Sequence, residues 1–279
     1  MPEKLKKISA PDLKRMKKRG EKIVMLTAYD ATMAKLLDRA GIDVILVGDS
    51  LGMVVLGYDT TVPVTLDDIL HHTKAVTRGA SRPLVVADMP FLTYKITVSE
   101  AVRNAGRLIQ EGGASAVKVE GGEPVIDVVR RLVDVGIPVM GHLGLQPQSV
   151  HQLGGFRRQA RDERDAGQLI SDARELEKAG AFALVLESIP KGVAREVTAQ
   201  LRIPTIGIGA GPYCDGQVLV SYDAFGLYDE FVPPFVKQYA KLAGQIVAAA
   251  GDYAEEVREG KFPARDKPVP ISAAHDKST

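Results

Sequence analysis

Charged and polar side chains follow several short apolar runs of this chain, at the point where each run ends. The stretch VILVGDSLG, for example, passes from Val44–Val47 through a glycine to Asp49 and Ser50. A charge at the end of a buried strand is costly alone, but charges from several strands that meet over one pocket can share a cation and a charged ligand. The candidate site residues are Asp49, Ser50, Asp88, Lys118, Glu120, His142 and Glu187, and the same pattern places Tyr29, Asp30 and Asp223 at strand ends.

Three of these residues could bind a metal ion. Asp49, Asp88 and Glu120 offer only oxygen ligands, and hard cations such as Mg²⁺ prefer carboxylate oxygens, with water or substrate at the remaining positions. No cysteine stands near them in the sequence, which disfavours zinc. Each carboxylate taken alone could instead cap a following helix, but the three together favour a magnesium site.

Lys118 lies two residues before Glu120, so alternation along a strand directs both side chains to the same face. A lysine beside carboxylates suits an anionic substrate. It could equally neutralise the acids in a salt bridge, and both roles are compatible.

Glu187 and His142 could take part in proton transfer. Glu187 follows an apolar run and has no basic neighbour in the sequence, which favours a general base. His142, in the segment GHLG, could donate a hydrogen bond to an oxyanion or could be a structural histidine bonded to backbone. The sequence leaves both roles open.

Two further patterns could bind ligands. Gly207–Gly211 reads GIGAG and could either hold a phosphate through backbone N–H groups or let a flat ligand approach the backbone. His71 and His72 are adjacent on a predicted helix and point in different directions. We therefore interpret them as helix surface and packing, not as a metal pair.

Short β-branched runs alternate with amphipathic, charge-rich segments along the whole chain. This pattern predicts a parallel sheet covered by helices, and eight such units match a (β/α)₈ TIM barrel in a single domain. An open doubly wound sheet is disfavoured, because the GIGAG run comes late and lacks dinucleotide-binding spacing. The predicted strands are 23–26, 44–47, 84–87, 116–119, 138–140, 183–186, 204–208 and 217–220.

Composition excludes several classes of protein. The 279 residues include 36 Lys plus Arg and 35 Asp plus Glu, so the net charge of +1 gives no bulk attraction to nucleic acid or membrane. No apolar run is long enough for a secretory signal or a membrane span. The single cysteine, Cys214, can form no disulfide within the chain, which suits a reducing cytoplasm.

The first twenty residues are basic and could be a phosphate-binding arm. A short helix that begins near Ser9–Asp12 and ends at Gly20 is the better interpretation, because it has a capping residue, an early proline and a terminal glycine. We expect this helix to precede the first strand and to act as a lid on the fold.

Longer segments resemble the ketopantoate hydroxymethyltransferase family, in the family's order and over nearly the whole chain. Only the lysine-rich start and the tail from about Pro263 fall outside them. The segments are MLTAYD (25–30), GDSLGMVVLGYDTTVPVTLDDILHH (48–72), ADMPF (87–91), VKVEGG (117–122), GHLGLQPQSVHQLGG (141–155), LVLESIP (184–190) and IGIGAGPYCDGQVLVSYDAFGL (206–227).

The resemblance implies a (β/α)₈ barrel enzyme of pantothenate and coenzyme A biosynthesis. Such an enzyme transfers a one-carbon unit from 5,10-methylenetetrahydrofolate to 3-methyl-2-oxobutanoate and gives 2-dehydropantoate. A metal-stabilised enolate of the oxo acid would add to the folate's one-carbon unit. The resemblance also implies a homo-oligomer, a decamer built as a pentamer of dimers.

The resemblance further implies roles for single residues. Asp49 and Asp88 would ligate Mg²⁺, with Glu120 as a direct or water-mediated ligand. The substrate-binding set would be Asp49, Ser50, Asp88, Lys118 and His142, and the proton acceptor would be Glu187.

Two other functions stay open at this point. A metal-dependent lyase that cleaves 2-oxo acids by retro-aldol chemistry would use the same carboxylates without folate. A non-catalytic, metal-stabilised assembly protein is supported only by Pro233–Val236 and the Ala-rich helix after it. We expect residues 1–262 to form the catalytic domain and residues 263–279 a flexible C-terminal tail.

Overall fold

Eight parallel strands close into a barrel in which each strand pairs with the next and the last pairs with the first. The structure, a computed structural model, describes residues 6–155, 158–160 and 162–264. The predicted barrel and the helix before its first strand are confirmed. The strands are β1 (Ile23–Thr27), β2 (Val44–Val47), β3 (Leu84–Asp88), β4 (Ala116–Glu120), β5 (Val139–Gly144), β6 (Ala183–Glu187), β7 (Thr205–Ile208) and β8 (Gly216–Leu219).

The strand ends differ from the predicted ones by a residue or two at most positions. The largest difference is at β5, which extends to Gly144 where we predicted an end at Met140. His142 and Gly144 pair in register with Val185 and Glu187 of β6. The ladder therefore continues through a histidine and glycines, which the apolar pattern does not mark as strand.

Helices surround most of the barrel and begin where the sequence offers capping side chains. Thr65 accepts a hydrogen bond from Asp68 N while Asp68 accepts one from Thr65 N, a reciprocal cap. Asp30 accepts a hydrogen bond from Met33 N at 2.8 Å, so it caps a helix. The helices are α1 (Ala10–Arg19), α2 (Ala31–Arg39), α3 (Leu51–Val54), α4 (Leu66–Gly79), α5 (Val98–Gln110), α6 (Ile126–Asp134), α7 (Val150–Leu153), α8 (Glu163–Lys178), α9 (Lys191–Gln200), α10 (Ser221–Ala224) and α11 (Leu242–Arg258), with short 3₁₀ turns at Glu123–Val125 and Pro147–Ser149.

Alternation along the strands divides their side chains between two apolar clusters. Val44 and Leu84 belong to the cluster inside the barrel. Ile45 and Val85, one residue further on, belong to the larger cluster between strands and helices. Because side chains alternate between the two faces of a strand, only every second residue points into the barrel interior and can reach its open end.

The interior positions lead directly to charged residues at the carboxyl ends of the strands. Asp88 follows the interior residue Val86 by two positions, and Lys118 and Glu120 continue the series that begins at Ala116. Asp88 is also the register partner of Lys118. The strands thus aim these side chains at one another, as the spacing predicts.

Helix α1 closes the amino-terminal end of the barrel. Its Leu13 is fully buried in the interior cluster. Lys17 Nζ donates to the carbonyls of Thr198 and Ile203, both at 3.0 Å, and lies 2.9 Å from an Asp215 carboxylate oxygen. The predicted lid role is confirmed, and Lys17 fixes the helix to the segments before β7 and β8.

One side of the barrel is poorly covered. Within the described residues, no helix lies between β7 and β8, and helix α11 buries none of its residues. Val24 of β1 is 46% exposed, although strands of such barrels normally lie beneath helices. An apolar side of the barrel and a helix attached mainly at its first turn thus remain exposed in the single chain.

Two further sequence-based expectations concern membrane-spanning helices and the C-terminal tail. No helix among the described residues is both long enough and apolar enough to cross a membrane. Most of the predicted tail, 263–279, lies outside the described residues, so the proposed domain limits stay predictions.

A substitution at Gly144 tests how closely this residue packs against the end of β6, where Glu187 lies. Its φ is +94°, and a Cβ there would lie 2.2 Å from the Glu187 carbonyl oxygen. Gly144→Ala must therefore shift backbone, and we expect chemical denaturation to show a loss of about 2–4 kcal/mol in the free energy of unfolding.

Gly136→Ala is the matched control. Gly136 has a φ of +88°, but nothing lies within 4 Å of the Cβ position. It should lose only the strain of a left-handed alanine, about 1–2 kcal/mol. Equal losses in the two variants would contradict a special contact between Gly144 and Glu187.

Candidate active site

A cavity of about 640 Å³ opens at the carboxyl ends of the strands, where barrel enzymes bind their ligands. All seven candidate residues of the sequence analysis line it, including Ser50. Asp30 does not, because it caps α2. We call the ionisable candidates the mouth cluster, namely Asp49, Asp88, Lys118, Glu120, His142 and Glu187.

Lys118 lies at the centre of the mouth cluster and is almost fully buried. Its Nζ is 3.0 Å from Asp88 Oδ1 and 3.8 Å from Glu120 Oε1. Burial lowers the pKa of Lys118, but the charges of Asp88, Glu120 and Asp49 outweigh burial and raise it. The lysine therefore stays charged and can attract an anion as well as neutralise its acidic neighbours.

His142 lies between two carboxylates. Its Nδ1 is 3.3 Å from Glu120 Oε1 and its Nε2 is 3.2 Å from Glu187 Oε2. Burial and the charge of Lys118 lower the pKa of His142, but contacts with Glu120 and Glu187 outweigh them and raise it to about 9. His142 Nδ1 also lies 3.2 Å from Lys118 Nζ, so the imidazole stands among Lys118, Glu120 and Glu187.

The acids of the cluster are not fully compensated by the protein. Burial, followed by the charges of Asp88 and Glu120, raises the pKa of Asp49 well above its ordinary value. Burial also raises the pKa of Asp88. Asp88 Oδ1 and Glu120 Oε1 accept no aligned hydrogen bond from the described residues, although Lys118 lies nearby. An additional positive charge would stabilise these carboxylates.

The donor atoms fit a hard divalent cation. Within the described residues, no three His, Cys, Asp or Glu side chains are arranged as a complete metal site. Mg²⁺, however, is usually held by one or two carboxylates and completes its shell with water and substrate oxygens. Asp49 and Asp88, with Glu120 beside them, supply that kind of partial, all-oxygen site.

Sequence reasoning missed two residues that hold the acids in place. Gln148 is buried in the turn after β5, and its Nε2 donates to Asp49 Oδ2 at 2.8 Å and to Met89 O at 2.9 Å. Its backbone N–H donates to Glu120 Oε2 at 3.2 Å. Tyr94 donates to Gln148 Oε1 at 2.8 Å and accepts a hydrogen bond from Glu120 N.

These two residues form a polar bridge between the carboxylates and the segments that follow β3 and β5. Neither belongs to a regular strand, and an amide or phenol in a loop has no periodic pattern in the sequence. The signal that could have found them is their position inside the QPQS and MPFLTY segments that directly follow strand ends.

The other sequence patterns have packing roles. A Cβ on Gly209 would lie 2.9 Å from the Phe235 ring, and one on Gly211 would lie 2.7 Å from Lys191 Cβ. The glycines thus permit close packing, and phosphate binding stays a prediction. His72 Nδ1 lies 2.6 Å from Tyr29 O while His71 is exposed, which confirms helix surface and packing.

Gln148→Leu tests the polar bridge. The variant removes the donor to Asp49 and leaves the Tyr94 hydroxyl without that acceptor. We expect Mg²⁺ affinity, measured by isothermal titration, to fall about 10- to 100-fold, the usual effect of a lost partner behind a metal ligand. Gln146→Leu, two residues earlier and half-buried, should leave the affinity unchanged. Equal affinities of the two variants would contradict the assignment.

Comparison with known sequences agrees with this geometry. The family described as ketopantoate hydroxymethyltransferase matches residues 7–265. The 3-methyl-2-oxobutanoate hydroxymethyltransferase of Moorella thermoacetica is 62% identical over 257 residues, covering 92% of this chain and 96% of the relative. The protein of the same name from Heliobacterium modesticaldum is 60% identical, covering 92% and 94%.

Solved structures resemble the chain in fold alone. A crystal structure of 2,3-dimethylmalate lyase, a member of the PEP mutase/isocitrate lyase superfamily, has a TM-score of 0.59 and 17% identity, covering 94% of this chain and 91% of that one. Phosphonopyruvate hydrolase with oxalate and Mg²⁺ has a TM-score of 0.60 and 14% identity, covering 94% and 93%. The barrel fold, the charged residues that line the cavity and the sequence matches agree. The chain belongs to the ketopantoate hydroxymethyltransferase family.

Proposed function

We propose that the chain is a 3-methyl-2-oxobutanoate hydroxymethyltransferase of pantothenate biosynthesis that performs its chemistry at the mouth cluster. The observation that carries the activity is a match of 62% identity over 92% of the chain to a protein of that name. The co-substrate is 5,10-methylenetetrahydrofolate. Similarity to lyases is limited to fold, at 17% identity, so it does not support the retro-aldol alternative.

Asp49 and Asp88 would hold Mg²⁺, with Glu120 as a direct or water-mediated ligand. When bound, Mg²⁺ supplies Lewis-acid polarisation of the keto group, which makes the proton on C3 of the oxo acid more acidic. The support is the all-oxygen donor set, the raised pKa of Asp49 and Asp88, and the oxygens Asp88 Oδ1 and Glu120 Oε1 that accept no aligned hydrogen bond from the described residues.

Lys118 and Ser50 would bind the oxo acid. Lys118 stays charged beside Asp88, so its ammonium can attract the substrate carboxylate. Ser50 Oγ lies 2.9 Å from the Tyr29 hydroxyl, which restricts the serine to an orientation in which it lines the cavity. A Schiff base at Lys118 is unnecessary, because polarisation of the same carbonyl already activates C3.

Glu187 would accept the C3 proton. Its Oε2 faces His142, so Oε1 is the oxygen free to receive the proton from the substrate. The C3 carbon then forms a bond to the methylene carbon of the folate, a water molecule supplies the hydroxyl oxygen, and tetrahydrofolate leaves as the bond between the methylene carbon and nitrogen breaks. The side chain is 16% exposed and lines the cavity, so it can reach a bound ligand.

His142 would position Glu187. Its Nδ1 lies 3.3 Å from Glu120 Oε1 and its Nε2 lies 3.2 Å from Glu187 Oε2, so the imidazole restricts the Glu187 side chain by proximity and not by an aligned hydrogen bond. A hydrogen bond from His142 to a substrate oxyanion remains a prediction, since it requires the ring to leave one of those carboxylates.

We propose that the chain forms a homo-oligomer, a decamer as the family resemblance implies. Helix α11 would lie in a contact between subunits. The support is the half-exposed Val24 on the barrel side that lacks a helix, together with an α11 whose Ile246 is 54% and Val247 73% exposed. Apolar surface of this kind normally meets a partner. The cytoplasm is the proposed compartment, because the single cysteine, Cys214, is an unpaired thiol.

Removal of divalent metal tests the proposed metal role. Treatment with a chelator should abolish one-carbon transfer, and added Mg²⁺ should restore it. Asp88→Asn should raise the Mg²⁺ concentration required for half-maximal rate by about 10-fold or more, because a charged ligand is lost. Full activity of metal-free enzyme would contradict this role.

Glu187→Gln tests the proposed base. In D₂O with Mg²⁺ but without folate, the wild-type enzyme should exchange the C3 hydrogen of 3-methyl-2-oxobutanoate, and proton NMR shows the loss of signal. We expect the variant to exchange about 10²- to 10⁴-fold more slowly, because the proton acceptor is gone. Glu196→Gln, an exposed site on α9, is the control and should exchange normally. Wild-type exchange in Glu187→Gln would assign the base elsewhere.

Ile246→Glu tests the subunit contact. A charge in the apolar face of α11 should shift the protein to smaller species in sedimentation velocity, because a buried charge is costly. The neighbouring exposed change Gln245→Glu should leave the oligomer intact. A wild-type protein that sediments as a monomer would refute the proposal.

A further inference from the structure

The cavity is larger than the oxo acid requires. Its volume of about 640 Å³ suits a drug-sized ligand, whereas 3-methyl-2-oxobutanoate has only a five-carbon skeleton. Beyond the mouth cluster, the cavity is lined by apolar and aromatic residues from β8 and the segment after it. These residues are Val218, Val220, Tyr228, Phe231, Pro234 and Phe235.

A single buried acid, Asp223, lies in this apolar half. Asp223 is 8% exposed and lines the cavity. No hydrogen bond or ion pair from the described residues reaches its carboxylate, and burial alone raises its pKa to about 6. The carboxylate lines the cavity without a protein partner among the described residues, so a ligand there can supply its hydrogen-bond donors.

The position of Asp223 limits what that ligand can be. Asp223 follows β8 and Asp49 follows β2, and these strands are separated only by β1. Two strand spacings are roughly 10 Å. This is comparable with the length of a bicyclic pterin that has its one-carbon unit at one end and its N3–H and 2-amino group at the other.

We infer that Asp223 binds the pterin ring of 5,10-methylenetetrahydrofolate, with its two carboxylate oxygens accepting hydrogen bonds from N3–H and the 2-amino group. The paired, adjacent donors match the two oxygens of one carboxylate, and the apolar wall with Tyr228 and Phe235 contacts the flat ring faces. This inference rests on the proposed function, since it identifies the folate end of that same site.

The arrangement explains how the two substrates meet. The oxo acid occupies the charged side of the cavity, beside Asp88 and Lys118, while the pterin occupies the side of Asp223. The methylene carbon, which lies at the end of the pterin away from the 2-amino group, is then directed at C3 of the oxo acid. Asp223 is therefore a binding residue that fixes which end of the folate faces the chemistry.

Asp223→Asn tests the inference. The amide replaces one of the two acceptor oxygens with an NH₂ group, which then faces a donor of the pterin, so we expect tetrahydrofolate affinity, measured by isothermal titration, and the KM for methylenetetrahydrofolate to worsen about 10- to 100-fold. The KM for the oxo acid and the folate-independent C3 exchange should be unchanged, which a general structural defect would not allow. Asp229→Asn, an exposed acid six residues on, is the matched control.

A second measurement uses the wild-type protein and an altered ligand. A tetrahydrofolate analogue that carries a methyl group in place of the 2-amino group should bind the wild type about 10-fold or more weakly. The Asp223→Asn variant should distinguish the two ligands much less. Equal binding of the two ligands by the wild type, or unchanged tetrahydrofolate affinity in the variant, overturns the inference.

These outcomes separate the inference from the proposed function. If the wild type transfers the one-carbon unit while Asp223→Asn keeps its wild-type KM for folate, only the assignment of Asp223 fails. If the wild type neither binds tetrahydrofolate nor transfers the unit, the proposed function itself fails.

Discussion

The mouth of the barrel buries three carboxylates, Asp49, Asp88 and Glu120, beside Lys118 and His142, with Glu187 partly exposed next to them, and the rest of the site depends on this crowding of acids. The acids beside Lys118 and His142 raise the pKa of both groups. Burial of so many carboxylates would be unfavourable in an isolated chain. A divalent cation would offset this cost, so the crowding of acids supports the proposed metal site better than it supports a set of salt bridges alone.

The barrel provides the geometry that this cluster needs. Lys118 and Glu120 come from one strand, and Asp88 and His142 come from its two neighbours in direct register. Loops alone would not hold such charges together, because each side chain would turn toward water. Gln148 then orients the carboxylates of Asp49 and Glu120, and Tyr94 holds Gln148 in place. Strands set the position of the acids, and the polar bridge sets their orientation.

The sequence predicts the fold well because the period of two along a strand is a strong local signal. It places Lys118 and Glu120 on one face, and the structure confirms this. The pattern fails for Asp30, which follows β1 as the site acids follow their strands but caps α2 instead. Whether a carboxylate points inward or caps a helix depends on the backbone after the strand, which residue type does not reveal.

Contacts between distant segments are harder to predict. Tyr94 and Gln148 are separated by 54 residues and meet only in the closed barrel. The contact between His142 and Glu187 likewise arises from the pairing of β5 with β6. A single sequence does not show which distant residues will be in contact in the folded chain.

Binding linkage tests the central claim most directly. Isothermal titration would measure Mg²⁺ affinity with and without 3-methyl-2-oxobutanoate, and oxo-acid affinity with and without Mg²⁺. Because both ligands would occupy the same carboxylate-lined site, each should strengthen the binding of the other by the same factor, about 10-fold or more. Affinities that do not depend on the other ligand would contradict a shared site at Asp49 and Asp88.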